Sequence, residues 1–185
     1  IQATGLQVRV TDPLGPHPML AEALHLRLAE ASYVRADRMR LISVMAPSDT
    51  MADGVLVGSV GGPDALNAAG VTAVLLAARL GITVLPAALD DPANLEQAFA
   101  QLAAAGCRRP VIAPSIMGQE ISPAEINALA AKHGARVSAP LGANTITAKI
   151  VALRYAELLN TLGVEKQPTL EDLPAPVGAR HRKEN

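Results

Sequence analysis

The chain has 185 residues, half of them hydrophobic and only 2% aromatic, and its 16 basic and 17 acidic side chains give a formal net charge of -1. Such length and apolar content support a buried core and exclude a disordered chain, while the near-neutral balance excludes the broad positive field of non-specific nucleic-acid binders. Cys107 is the one cysteine, so no internal disulfide framework exists, and no apolar run reaches the roughly 18 residues needed to span a bilayer.

With no charged-then-apolar leader, the chain reads as a cytoplasmic protein, and Ile1 in place of Met leads us to expect residues upstream. Leu6 to Val10 alternate as a short strand, the Pro13-Leu14-Gly15-Pro16 turn follows, and a helical pattern runs from Met19 to Ala31. Met39 to Asp53 reads as a linker or insertion, with Leu41 to Met45 as its one strand candidate.

From Gly54 the pattern becomes regular. Strands are predicted at Val55 to Val60, Ile82 to Ala87, Pro110 to Ser115 and Ala135 to Ser138, alternating with helices at Asp64 to Leu80, Pro92 to Ala105, Pro123 to His133 and Thr145 to Leu162. Four strands alternating with four long helices predict an α/β fold: an open parallel sheet with flanking helices and right-handed crossovers. Ser122-Pro123 with Glu125 marks one helix start, and Gly81, Gly106, Gly134 and Gly163 follow helical runs where a left-handed cap is wanted. Beyond Gly163, prolines break the pattern and Arg180-His181-Arg182-Lys183 forms a basic end, which reads as a solvated extension.

The chain also repeats itself. Arg9-Val10, Pro13-Leu14-Gly15, Ala21, Leu26-Arg27 and Ala29-Glu30 recur without a gap as Arg136-Val137, Pro140-Leu141-Gly142, Ala148, Leu153-Arg154 and Ala156-Glu157. On this reading residues 1–31 are the final β-α unit of a first, duplicated half, 32–53 a linker, 54–162 a second half and 163–185 a Pro-rich basic tail. The alternative is two strand-turn-helix units that converged on one composition.

In an open parallel sheet, ligands bind beyond the carboxyl ends of the strands. Here those loops are Ser59-Val60-Gly61-Gly62-Pro63, Ala87 to Asp90, Ser115 to Glu120 and Pro140 to Asn144. Gly61 and Gly62 permit backbone N–H groups to approach an anion, or simply a tight strand-to-helix turn. They form neither a dinucleotide fingerprint nor a P-loop, and Val57 stands where a nucleophile elbow around Ser59 needs glycine. His25 and His133 lie inside helices and read as structural, and His181 is in the tail. His17, between Pro16 and Pro18, is either a turn residue or a functional one. No pair of His, Cys, Asp or Glu has zinc-site spacing.

Three segments, Arg9 to Glu30, Leu95 to Pro114 and Arg136 to Glu157, resemble the class II chelatases of sirohaem and cobalamin synthesis. That resemblance implies two similar flavodoxin-like halves facing each other across a cleft. It also implies a lyase that inserts a divalent metal, Fe2+ or Co2+, into sirohydrochlorin without an organic cofactor. The family carries His-Gly-Ser after the first strand and a second His after the third, where this chain has Ser59-Val60-Gly61-Gly62 and Met117-Gly118-Gln119-Glu120. Neither place holds a histidine, so no catalytic residue is assigned and the chain is expected to be the non-catalytic half. The positions implied for the macrocycle are Ser59, Gly61, Gly62, Ser115, Gln119 and His17, with Glu120 as a hard oxygen donor to metal. The other readings are a degenerate tetrapyrrole-binding or assembly module, and a flavodoxin-like cofactor binder. Apolar surface left bare by a partial first half predicts a symmetric homodimer.

Overall fold

The computed structural model describes residues 8–35 and 50–162, so the tail, Gly163 and the strand candidate at Leu41 to Met45 lie outside the described residues. Helix α1 (Pro18–Glu30) comes first. Then β1 (Gly54–Ser59), α2 (Gly62–Leu80), β2 (Thr83–Ala88), α3 (Pro92–Ala104), β3 (Pro110–Pro114), α4 (Pro123–Lys132), β4 (Arg136–Val137) and α5 (Thr145–Thr161) alternate as predicted, within a residue or two at most ends.

All strand pairings are parallel, and the order is β2-β1-β3-β4. Register sets Val55 beside Val84 and Val111, so the two-residue period of each strand sends alternate side chains to opposite faces. Val55, Val57, Val111 and Ala113 join a core with α1 and α2, whereas Leu56 and Ile112 join one with α3 and α4. Every residue of β1 is buried, as a central strand covered on both faces requires.

Local chemistry explains the helix ends. Asp91 accepts from the N–H groups of Ala93 and Asn94 at the start of α3, and Ser122 and Glu125 form a reciprocal capping box on α4. Gly81 closes α2 at φ +69°, a conformation costly for any residue with a Cβ, and donates its N–H to the Ala77 carbonyl. No described helix is long and apolar enough to cross a membrane.

One expectation is corrected. Val8 to Val10 form no strand: Val10 is 82% exposed and has no strand beside it, so only the helix of that predicted strand-turn-helix unit is present among the described residues. Alternation alone does not make a strand where no neighbouring strand accepts its hydrogen bonds. The described ends of the 32–53 segment are packed. Val34 and Ala52 are buried, Ala52 donates to the Tyr33 carbonyl at 2.8 Å, and the Arg136 guanidinium lies 4.5 Å from the Tyr33 ring centroid.

The repeat has a structural counterpart. His17 and Asn144 occupy matching places and both cap their helices, His17 Nδ1 accepting from the Met19 N–H and Asn144 Oδ1 from the Thr147 N–H. Arg27 donates through Nε and Nη2 to the Leu141 carbonyl, while Arg154 donates through Nε to the Pro13 carbonyl. Each helix therefore reaches for the turn that precedes the other. Each arginine also pairs with the glutamate three residues on, Glu30 or Glu157, at 2.9 Å.

Candidate functional site

The strand order reverses direction between β1 and β3, and the loops that leave those two strands part there. A cavity of about 200 Å³ opens at this point, bounded by Ser59, Ser115, Thr72, Met117 and the two repeated turns, through Leu14-Gly15 and Leu141. Ser59 is buried and donates from Oγ to the Ala87 carbonyl at 3.4 Å, a bond that leans it toward β2. Of the implied substrate-binding residues, Ser59 and Ser115 are the two brought onto one wall.

Gly61 and Gly62 open α2 with left-handed backbone, φ +117° and +77°, as the tight-turn reading requires. One backbone donor of that turn is already taken, because the Gly61 N–H donates to Asp90 Oδ2 at 2.9 Å. The same device closes the loop after β3: Glu120 accepts from the N–H of Gly118 at 2.8 Å and of Met117 at 3.3 Å. A helix start or loop rich in free N–H groups favours a carboxylate, and here the chain supplies its own.

Asp90 and Glu120 line a second, larger groove of about 470 Å³ on the α4 side, together with Glu125 and Lys132. Val60 belongs to both openings, so the loop after β1 divides them. Gln119 is exposed on the β3 loop, and His17 lies at the start of α1 as its cap. The structural reading of the other helical histidines holds. His25 Nε2 lies 2.7 Å from the Arg35 carbonyl, and His133 stacks on Phe99 with ring centroids 4.2 Å apart.

Among the described residues no group of three or more His, Cys, Asp or Glu side chains is placed to hold a metal ion. Asp90 and Leu141 fall in the loops that the sequence places beyond the strands, without being named there as ligands. Lys132 has no such signal, because only the folded chain brings it to the groove.

No family model matches the chain, and no curated protein sequence matches it. Among solved structures, SirB from Bacillus subtilis with Fe3+ matches it with a TM-score of 0.61. The shared fold is that of SirB. Identity is 20% over 83% of this chain, and the match spans 59% of the SirB chain. The expected four-stranded parallel α/β architecture is therefore present in the topology, and a solved structure shares the fold.

Proposed function

We propose that this chain belongs to a chelatase-like protein that holds a polycarboxylate tetrapyrrole, such as sirohydrochlorin, over the carboxyl ends of β1 and β3. The divalent metal, Fe2+ or Co2+, is then a substrate delivered to the macrocycle. The observation that carries this reading is the convergence of both repeated turns with Ser59 and Ser115 on one cavity at the switch point. Sequence resemblance to the class II chelatases and likeness of fold to the iron-bearing SirB structure support it.

Size decides how much of the ligand this chain meets. Sites that enclose drug-sized ligands measure about 300–1,000 Å³, so a cavity of about 200 Å³ accepts one edge of a macrocycle and needs a facing wall for the rest. That suits a half that closes the cleft, with Ser59 and Ser115 offering hydroxyls to an acid side chain. Glu120 offers a hard oxygen to metal while its two carboxylate oxygens are held by the N–H groups of Met117 and Gly118. Metal insertion also needs a base for the pyrrole protons, and the imidazole that the family offers for this is missing from these two loops.

The test is an absorbance titration of sirohydrochlorin with the 185-residue chain, followed by a cobalt-insertion assay. The expected result is binding without insertion, weakened about tenfold or more by Ser115→Leu, which fills the cavity. Absence of any binding refutes the reading, and insertion at an enzyme's rate refutes the assignment as the non-catalytic half. A second reading, a binding or assembly module that no longer inserts metal, is favoured by one observation: Asp90 and Glu120, two of the three carboxylates of the larger groove, each accept from backbone N–H groups of the chain itself.

A further inference from the structure

The larger groove, on the α4 side, holds groups that the tetrapyrrole reading leaves idle. Its floor is apolar: Leu89 is buried, and Val60, Ile121 and Leu129 are partly buried against the core formed with α3 and α4. Asp90 follows β2, Glu120 follows β3 and Glu125 opens α4, so three carboxylates stand at the carboxyl edge of the sheet. Lys132 ends α4 two turns further on. Residues 125, 128, 129 and 132 share one face of that helix, and all four line the groove. At 1.5 Å per residue, Glu125 and Lys132 stand about 10 Å apart along the helix axis, with Leu129 between them.

The charged groups have capacity to spare. Asp90 accepts the Gly61 N–H on Oδ2, and Glu125 accepts both the N–H and the hydroxyl of Ser122 on Oε2. Asp90 Oδ1 and Glu125 Oε1 therefore have no partner among the described residues, on carboxylates that the chain has already oriented. The Lys132 ammonium makes no hydrogen bond or ion pair among the described residues either. Capping of a loop and a helix accounts for one oxygen on each of these two acids. It does not account for an unpaired ammonium on the same groove, with an apolar floor beside it.

We infer that this groove binds a free peptide of two or three residues with apolar side chains, its α-ammonium at the carboxylates and its α-carboxylate at Lys132. A ligand that satisfies both ends must carry a cation and an anion on either side of an apolar body. Extended peptides of this length span about 7–11 Å, whereas a single amino acid is too short to reach both ends. The axial spacing from Glu125 to Lys132 falls in that span, and the lean of a helical side chain toward the helix start shortens the gap between the charges. The volume of about 470 Å³ lies within the range of about 300–1,000 Å³ usual for small ligands. Three carboxylates against one ammonium make the groove acidic, so a polycarboxylate is disfavoured here and belongs to the smaller opening across Val60. Peptide binding at this groove is thus independent of tetrapyrrole binding.

Isothermal titration calorimetry of the 185-residue chain provides the test, with dileucine and trileucine as probes, each in free, N-acetylated and C-amidated form. At least one free peptide should bind with a dissociation constant below about 1 mM, and either block should weaken it about tenfold or more. K132M should erase the penalty for amidation while keeping the penalty for acetylation. Ala128→Phe, at an exposed position on the groove face of α4, should abolish binding without changing the melting temperature. The proposal is overturned if neither free peptide binds below that concentration. It is equally overturned if the blocked peptides bind as tightly as the free ones, the mark of a merely apolar contact, or if K132M leaves the amidation penalty in place.

Discussion

Asp53 stands at the foot of β1 and ties it to β3. Its two carboxylate oxygens accept the N–H groups of Arg108 at 3.0 Å and Arg109 at 2.7 Å, and the Arg109 guanidinium lies 3.7 Å away. Burial alone would raise its pKa, but the two N–H groups and the guanidinium outweigh it and hold the carboxyl below the ordinary carboxylate value. A depressed folded-state pKa contributes stability that is complete above the unfolded value, near pH 4, and is lost as pH falls through the folded value. D53N keeps the shape but points an amide N–H₂ at one backbone donor, so a loss of about 1–3 kcal/mol is expected at pH 7. Urea denaturation checks it: the gap between wild type and variant should narrow between pH 5 and pH 2, and a constant gap would refute the electrostatic account. His17 invites a second substitution. Since Asn144 caps its helix from the matching position, accepting from the N–H three residues on where His17 accepts from the one two residues on, His17→Asn should leave stability within about 0.5 kcal/mol, whereas His17→Ala should cost about 1 kcal/mol.

At the scale of elements, β1 shows how closely the sheet is packed around glycine. A Cβ on Gly58 would lie 2.8 and 2.9 Å from the two methyls of Leu89, a buried side chain with core neighbours behind it. Gly58→Ala should therefore cost about 1–3 kcal/mol through overpacking, read as a lowered denaturation midpoint with an unchanged slope. An unchanged midpoint would mean that Leu89 moves freely. The elements themselves were legible beforehand because their signals are local: Ser122 with Glu125, and Gly81, each act within a few residues of the boundary they set. Val8 to Val10 misled for the opposite reason, since a strand exists only by virtue of its neighbour. The site was legible as a set of loops, because the carboxyl ends of the strands locate it. What the carboxylates do there was not, for Asp90 and Glu120 fold onto backbone N–H groups through approaches that no spacing rule encodes.

In the molecule as a whole, residues before the linker and residues after it share one core. Leu24 and Leu28 of α1 are fully buried with Val55, Val57, Leu76 and Ile150, so α1 is a structural member of the second unit's layer rather than an appendage to it. Its removal would expose the part of the β1 and β3 face that α2 does not cover. Because buried area of this kind is gained only when both segments are in place, helix loss and sheet loss should occur together. L24A leaves a cavity between α1 and the sheet, and the cost of such a truncation in a rigid core is about 2–5 kcal/mol. Thermal unfolding followed by far-ultraviolet circular dichroism and by tyrosine fluorescence should give coincident transitions for wild type and variant alike, the variant's at lower temperature. Tyr33 reports the α1 side, and Y155F removes the other ring from the signal. Were α1 a separable piece, L24A would instead split the curve, with tyrosine fluorescence changing before most of the helical signal is lost. The crossed arginines bear on the same question from the surface. R154M breaks a contact between α5 and the turn before α1 at a partly exposed site, so it should cost less than L24A while shifting both probes equally.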